Sequence, residues 1–162
     1  MLSQTTEYAL RAVVVLAQDP RVPQTGQRIA EASQVPQDYL MKVLQPLSKA
    51  GLLAAQRGRN GGFLLTRSPE SITVLDVVSA VEPLRRIRSC PLRLKAHSTN
   101  LCPLHRKLDD AIQLVEDAFR STTLADILAE PSPMKPLCLS SGALSEQPPY
   151  QQIGKPQYEV EA

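Results

Sequence analysis

The segment "GQRIAEASQVPQDYLMKVLQPLSKAGLL" (residues 26–53), followed by "RGRNGGFLLTR" (57–67), decides the fold. Leu40, Val43, Leu44 and Leu47 fall at i, i+3, i+4 and i+7, a single apolar stripe on a helix predicted from about Gln37 to Ala50. Pro36 suits the start of that helix and Gly51 its C-terminal cap, while Pro46 removes one backbone donor and is expected to kink the last turn. "QVPQD" ahead of it is a turn, and Thr25 offers an N-cap to a short helix around Gln27–Ser33. "LLAAQ" and "GFLLT" flank the glycine-rich "RGRNG", the pattern of a β-hairpin.

Working outward, residues 3–18 place Ala9, Ala12, Val13, Leu16 and Ala17 at helical spacing. Ser71 or Thr73 caps a helix through about Val81, and a segment without periodicity follows over 82–103. A strong helix is then predicted from Leu104 to Arg120, with Leu108, Ala111, Ile112, Val115, Ala118 and Phe119 as its stripe. "STTLADILAE" forms a short closing helix. From Pro131 the chain turns rich in Pro, Ser and Gln, and disorder is expected there.

Helix, short helix, turn, helix and hairpin is the order of a winged helix-turn-helix. The expected fold is therefore mainly α with a small β-hairpin wing, extended by a long C-terminal helix. The leucine stripe leaves Gln37, Asp38, Met41, Lys42 and Gln45 on the outer face, where Gln and Lys reach base edges or phosphates of a major groove. Arg57 and Arg59 sit among glycines at a slim cationic tip suited to a minor groove. The same topology also serves in protein-docking domains, so pattern alone leaves both readings open.

The net charge of +2 conceals strong blocks. Residues 85–107 hold seven bases and no acid, whereas 108–130 hold six acids and one Arg. Such blocks suggest a localised anionic partner. No apolar run reaches the roughly 18 residues of a membrane span. The start lacks a basic n-region and a cleavage signal, so a cytoplasmic protein is expected. Three cysteines then read as metal, redox or core thiols. No phosphate loop or nucleophile motif points to an enzyme; a small metal or redox enzyme remains the alternative from another class.

"YLMKVL…LSKAGLL", the "RGRNGG" wing and "ITVLDVV" together resemble the IscR/NsrR-like regulators, homodimeric winged-helix transcription factors that often carry an iron–sulfur cluster. The resemblance covers about residues 1–130. It implies double-stranded DNA with a palindromic operator as partner, and a dimerisation role for the helix at Leu104–Arg120. By the resemblance, Gln37, Tyr39, Lys42, Gln45, Arg57 and Arg59 contact DNA. Met41 stands where one branch has an acid that helps choose operators, so that choice does not transfer.

Cluster-binding members place three cysteines before the dimer helix at roughly C-x5-C-x5-C. Cys90 matches the first, Cys102 the third, and His105 a histidine ligand of one branch. The middle position is Ala96. Two groups substitute on paper: His97 in the same loop, or Glu7 from the partner subunit. Two thiolates with two imidazoles is the stoichiometry of a Rieske-type 2Fe–2S centre and also a tetrahedral zinc set. With two matching cysteines, 2Fe–2S is favoured over 4Fe–4S. Cys138, in the tail, is not expected to be a ligand.

The chain thus divides into a DNA-binding domain (1–82), a cluster loop (83–103), a dimerisation helix with its closing helix (104–130) and a tail (131–162). The expected function is DNA-binding regulation by a redox-, iron- or nitric-oxide-sensitive cluster. A cluster-free thiol- or ligand-responsive regulator and a zinc-stabilised DNA-binding protein are the alternatives.

Overall fold

The computed structural model describes residues 2–90 and 101–131. Ala96, His97, Cys138 and nearly all of the Pro-rich tail lie outside them. The described elements run α1 (Gln4–Gln18), α2 (Gly26–Ser33), α3 (Gln37–Lys49), β1 (Leu53–Gln56), β2 (Gly62–Leu65), α4 (Val74–Val81), α5 (Pro103–Ser121) and α6 (Leu124–Ala129), with a 3₁₀ turn at Pro69–Ser71. The expected mainly α fold with a hairpin wing is what forms.

Helix α1 lies at the centre. Ser3 caps it by accepting from the Thr6 N–H at 3.3 Å. Its buried face, with Ala9, Ala12, Val13 and Leu16 fully enclosed, packs against α2, α3, α4 and α6. Thr25 caps α2, as predicted, through the Arg28 N–H at 3.3 Å. The turn after α2 places Gln34 in the left-handed region at φ 55°, held by its side-chain amide donating to the Glu31 carbonyl at 2.7 Å.

In α3 the predicted stripe of Leu40, Val43, Leu44 and Leu47 is buried. The helix runs on through Pro46 and ends in a Schellman turn. Leu52 N–H bonds the Leu47 carbonyl and Gly51 N–H the Ser48 carbonyl, both at 3.0 Å, with Gly51 at φ 73°. β1 and β2 pair antiparallel, Leu53 opposite Leu65 and Gln56 opposite Gly62. Gln24 extends this hairpin by exchanging two backbone bonds with Phe63, at 2.9 and 2.8 Å. A Cβ on Gly62 would collide with the Gln24 backbone, so glycine is required for that close approach.

Ser71 falls in the 3₁₀ turn and Thr73 is the cap of α4, in a capping box with Asp76. Thr123 and Asp126 repeat the same box on α6. The two starts meet: Val74 N–H bonds the Thr122 carbonyl and Leu124 N–H bonds the Ile72 carbonyl, both at 2.9 Å. Leu124 thereby enters the α1 core at 0% exposure. Helix α5 contrasts with the rest, having no buried residue over its 19 positions.

Leu44→Ala is expected to lower unfolding free energy by about 2–5 kcal/mol, through lost transfer energy plus a cavity. Gln45→Ala, one residue on and exposed, should stay within about 0.5 kcal/mol. Urea denaturation of the two variants beside the parent measures both, and equal losses would contradict the assigned face of α3.

Candidate functional site

The outer face of α3 presents Gln37, Asp38, Met41, Lys42 and Gln45 to solvent, opposite the leucine stripe. Arg57 and Arg59 are exposed at the hairpin tip, where Gly58 takes φ 110°. Tyr39 is different. It is half-buried against the core, and its hydroxyl lies 2.7 Å from Thr5 Oγ1 on α1. Lys42 Nζ sits 5.1 Å from the Tyr39 ring centroid.

The cysteine side is built on the start of α5. Cys102 is the N-cap residue and Pro103 follows in the first turn, where its missing N–H costs nothing. The helix thus begins one residue earlier than the pattern predicted. That start sets His105 one turn above Cys102, and Sγ lies 3.3 Å from His105 Nδ1. Cys90 is buried at the far end of the intervening segment 91–100, which includes His97 and is outside the described residues. Among the described residues no three His, Cys, Asp or Glu side chains converge as a metal-holding group. Of the predicted ligands, Cys102 and His105 are brought together. Glu7 stands apart on the exposed side of α1, ion-paired with Arg11.

An arginine clamp joins the two arms of the cysteine segment. Arg86 Nε donates to Asp109 Oδ1 at 2.8 Å and Nη2 to Oδ2 at 2.6 Å, a bidentate pair. The Ile87 N–H donates to the same carboxylate at 2.7 Å. Gln113 accepts from the other Arg86 nitrogen, and Glu116 lies 3.7 Å away. The Arg86 hydrogen bond, aided by the Ile87 N–H and the nearby Arg88 charge, holds Asp109 down at about 2. Hydrogen bonding to Asp109 raises Arg86 in turn. This refines the reading of 85–107 as a basic block facing an external anion. Arg86 is engaged by α5, and Lys107 lies 3.8 Å from Asp110, whereas Arg85 and Arg88 remain exposed. The sequence signal for the clamp was the acidic block immediately after the basic one.

Along α5 runs an open apolar groove of about 750 Å³, lined by Ala111, Ile112, Val115, Ala118 and Phe119 with Leu2 and Leu84. Glu7 forms part of its rim. No described helix is long and apolar enough to cross a membrane.

A helix-turn-helix with an exposed polar recognition face and a cationic hairpin defines a winged-helix transcriptional regulator scaffold. The chain belongs to the Rrf2 family, described as iron-dependent transcriptional regulators, whose model matches residues 2–130. These proteins are DNA-binding regulators, not enzymes. Among solved structures, CymR, the global cysteine regulator of B. subtilis, is similar at 26% identity and a TM-score of 0.67, over 80% of this chain and 96% of that one. T. potens IscR is similar at 26% identity and a TM-score of 0.68, over 82% and 88%. Staphylococcus aureus CymR in an oxidised form matches at 25% identity and a TM-score of 0.59, over 76% and 92%.

The clamp gives a pH signature. Asp109 is depressed in the folded state, so its contribution is fully present above pH 3.8 and is lost as pH falls towards about 2. Asp109→Asn is therefore expected to lower stability at neutral pH and to flatten its dependence across that window. Chemical denaturation at several pH values tests this; parallel curves for parent and variant would contradict it.

Proposed function

We propose that the chain is a homodimeric DNA-binding transcriptional regulator whose operator affinity is set by an iron–sulfur cluster at Cys90, Cys102 and His105. The observation that supports this most is the Cys102–His105 pair, 3.3 Å apart at the head of α5, with Cys90 closing the other end of the same segment. Thiolate and imidazole are the donors that a 2Fe–2S centre with mixed ligation accepts. When bound, such a cluster supplies a redox- and ligand-sensitive tie between Cys90 and α5. The fourth ligand is Glu7 of the partner or His97. Glu7 is supported by its place on the rim of the α5 groove.

The occupant proposed for that groove is α5 of a second copy. A helix of 19 residues with an apolar stripe and no buried position buries little in its own chain. The functional division follows: residues 1–82 read DNA, 83–103 hold the cluster, and 104–130 form the dimer contact and the return to the core. Gln37, Lys42, Gln45, Arg57 and Arg59 are the proposed DNA contacts on a palindromic, double-stranded operator, with Tyr39 beside them. A useful switch requires coupling of about 1–3 kcal/mol between cluster and operator binding. The likeness to CymR favours one second reading, a cluster-free thiol-responsive regulator of the same fold.

Anaerobically purified protein is expected to show visible absorption with stoichiometric iron and sulfide. Cys90→Ala, Cys102→Ala and His105→Ala each bleach or shift that spectrum. A colourless, iron-free protein whose operator affinity responds to thiol oxidants would select the second reading. Comparing Glu7→Ala with His97→Ala assigns the fourth ligand, since only the true ligand alters the native spectrum.

Val115→Glu places a charge in the proposed dimer contact. It is expected to give a monomer by analytical ultracentrifugation and to abolish binding to the palindrome, while leaving the thermal transition of the fold largely in place. A dimer that persists in this variant would contradict the assigned interface.

A further inference from the structure

Helices α1 and α3 are joined beside the aliphatic core by a series of polar and aromatic contacts. Glu7 is ion-paired with Arg11. Arg11 Cζ lies 5.7 Å from the centroid of the Tyr8 ring. Tyr8 meets Tyr39 edge to face, with centroids 5.9 Å apart and planes at 73°. Lys42 Nζ lies 5.1 Å from the Tyr39 centroid. The Tyr39 hydroxyl is pinned at 2.7 Å to Thr5, and the Tyr8 hydroxyl accepts from Gln4 Nε2 at 2.9 Å. Each group thus touches the next, from the rim of the α5 groove to the outer face of α3.

Three features make this series more than side-by-side packing. Both rings are half-buried, so neither turns freely. Both cations lie within the roughly 6 Å at which the ring quadrupole attracts them. The Tyr39 hydroxyl bond ties the ring to α1, not to its own helix, so the platform beneath Lys42 is set by the first turn of α1. A lysine held over a ring has less rotamer freedom to lose on meeting a phosphate or a base. At the other end, the Arg11 guanidinium is shared between the Glu7 carboxylate and the Tyr8 face. A change in the pairing of Glu7 alters what holds Arg11 over that ring.

We propose that Tyr8 is a positioning residue for DNA binding: through Tyr39 it holds Lys42 on the reading face, and the Glu7–Arg11 pair sets Tyr8. The inference rests on the DNA-binding reading above, and it links the dimer-facing side of α1 to the recognition helix without passing through the aliphatic core.

The probe is a duplex selected from a random-sequence pool by the parent protein, with affinity measured by anisotropy over a salt series. Tyr8→Leu and Lys42→Gln are each expected to weaken binding roughly three- to tenfold and to lower the slope of log K against log salt by about one. The double variant should be no weaker than Lys42→Gln alone, because Tyr8 acts only through Lys42. Tyr8→Phe keeps the ring and should bind like the parent. Arg11→Gln, which leaves the Glu7 carboxylate in place, should shift affinity in the parent and leave it unchanged in the Tyr8→Leu background. Thr5→Val removes the Tyr39 hydroxyl partner and provides the same cycle if Tyr8→Leu does not fold. Losses that multiply in the double variant, or a Tyr8→Leu loss with an unchanged salt slope, would overturn the bridge while the parent's salt-dependent binding upholds the DNA-binding reading. A parent with no salt-dependent DNA binding would overturn both.

Discussion

Enclosure of α1 is the constraint on which the other helices depend. An N-terminal helix ordinarily frays, because few contacts tie it down. Here four helices pack around it, and Ala9, Ala12, Val13 and Leu16 are fully removed from solvent. Burying each large aliphatic side chain contributes about 1.5–3 kcal/mol, so loss of α1 would leave α2, α3, α4 and α6 without a common face. The small residues matter as much as the large. Ala9 and Ala12 let neighbouring helices approach closely, while the long side chains of α3 fill the space between. Helix α3 therefore sinks its buried stripe into the same core cluster as α1, with α2, α4 and β1 also against it.

Much of this was legible because local and tertiary requirements agree. The cap at Thr25 marks the start of α2, the stripe and the glycine at position 51 mark α3 and its end, and both helices form there. The hairpin was legible for the same reason. Features set by distant partners were not. Gln24, in a stretch that reads only as a helix breaker, is buried, joins Phe63 by two backbone bonds and donates its side-chain amide to the Val15 carbonyl at 3.3 Å. Nothing local marks a polar residue as the bridge partner of the wing. Leu124 is similar: a six-residue helix is too short to show a period, so its place in the α1 core was invisible beside the long helix before it.

At the candidate site the legible part was spacing. The i to i+3 spacing of Cys102 and His105 is about one helical turn, and the turn begins where Pro103 allows it. Tyr39 shows the limit of that method. Its position on α3 suggests a DNA contact, but its hydroxyl is turned to Thr5, a partner 34 residues away in sequence. Pattern places a residue on a helix; the neighbouring helix decides what the side chain does there.

The second half of the described chain is held on different physics. Helix α5 buries no residue, and its apolar stripe lines an open groove instead of the core. Its first half is joined to the linker after α4 chiefly through Asp109, which accepts from Arg86 twice and from the Ile87 backbone, with Gln113 and Glu116 beside it. A bidentate guanidinium pair is directional, so it specifies angle as well as distance. Being only partly buried, it also resists displacement less than interdigitated aliphatic packing does. Arg86 lies just before Cys90, and Asp109 lies two turns beyond Cys102. The clamp therefore joins the described arm that ends at Cys90 to the helix that begins after Cys102. The two halves of the described chain are thus held by different means: interdigitated aliphatic packing around α1, and a directional, partly buried ion pair at the first half of α5.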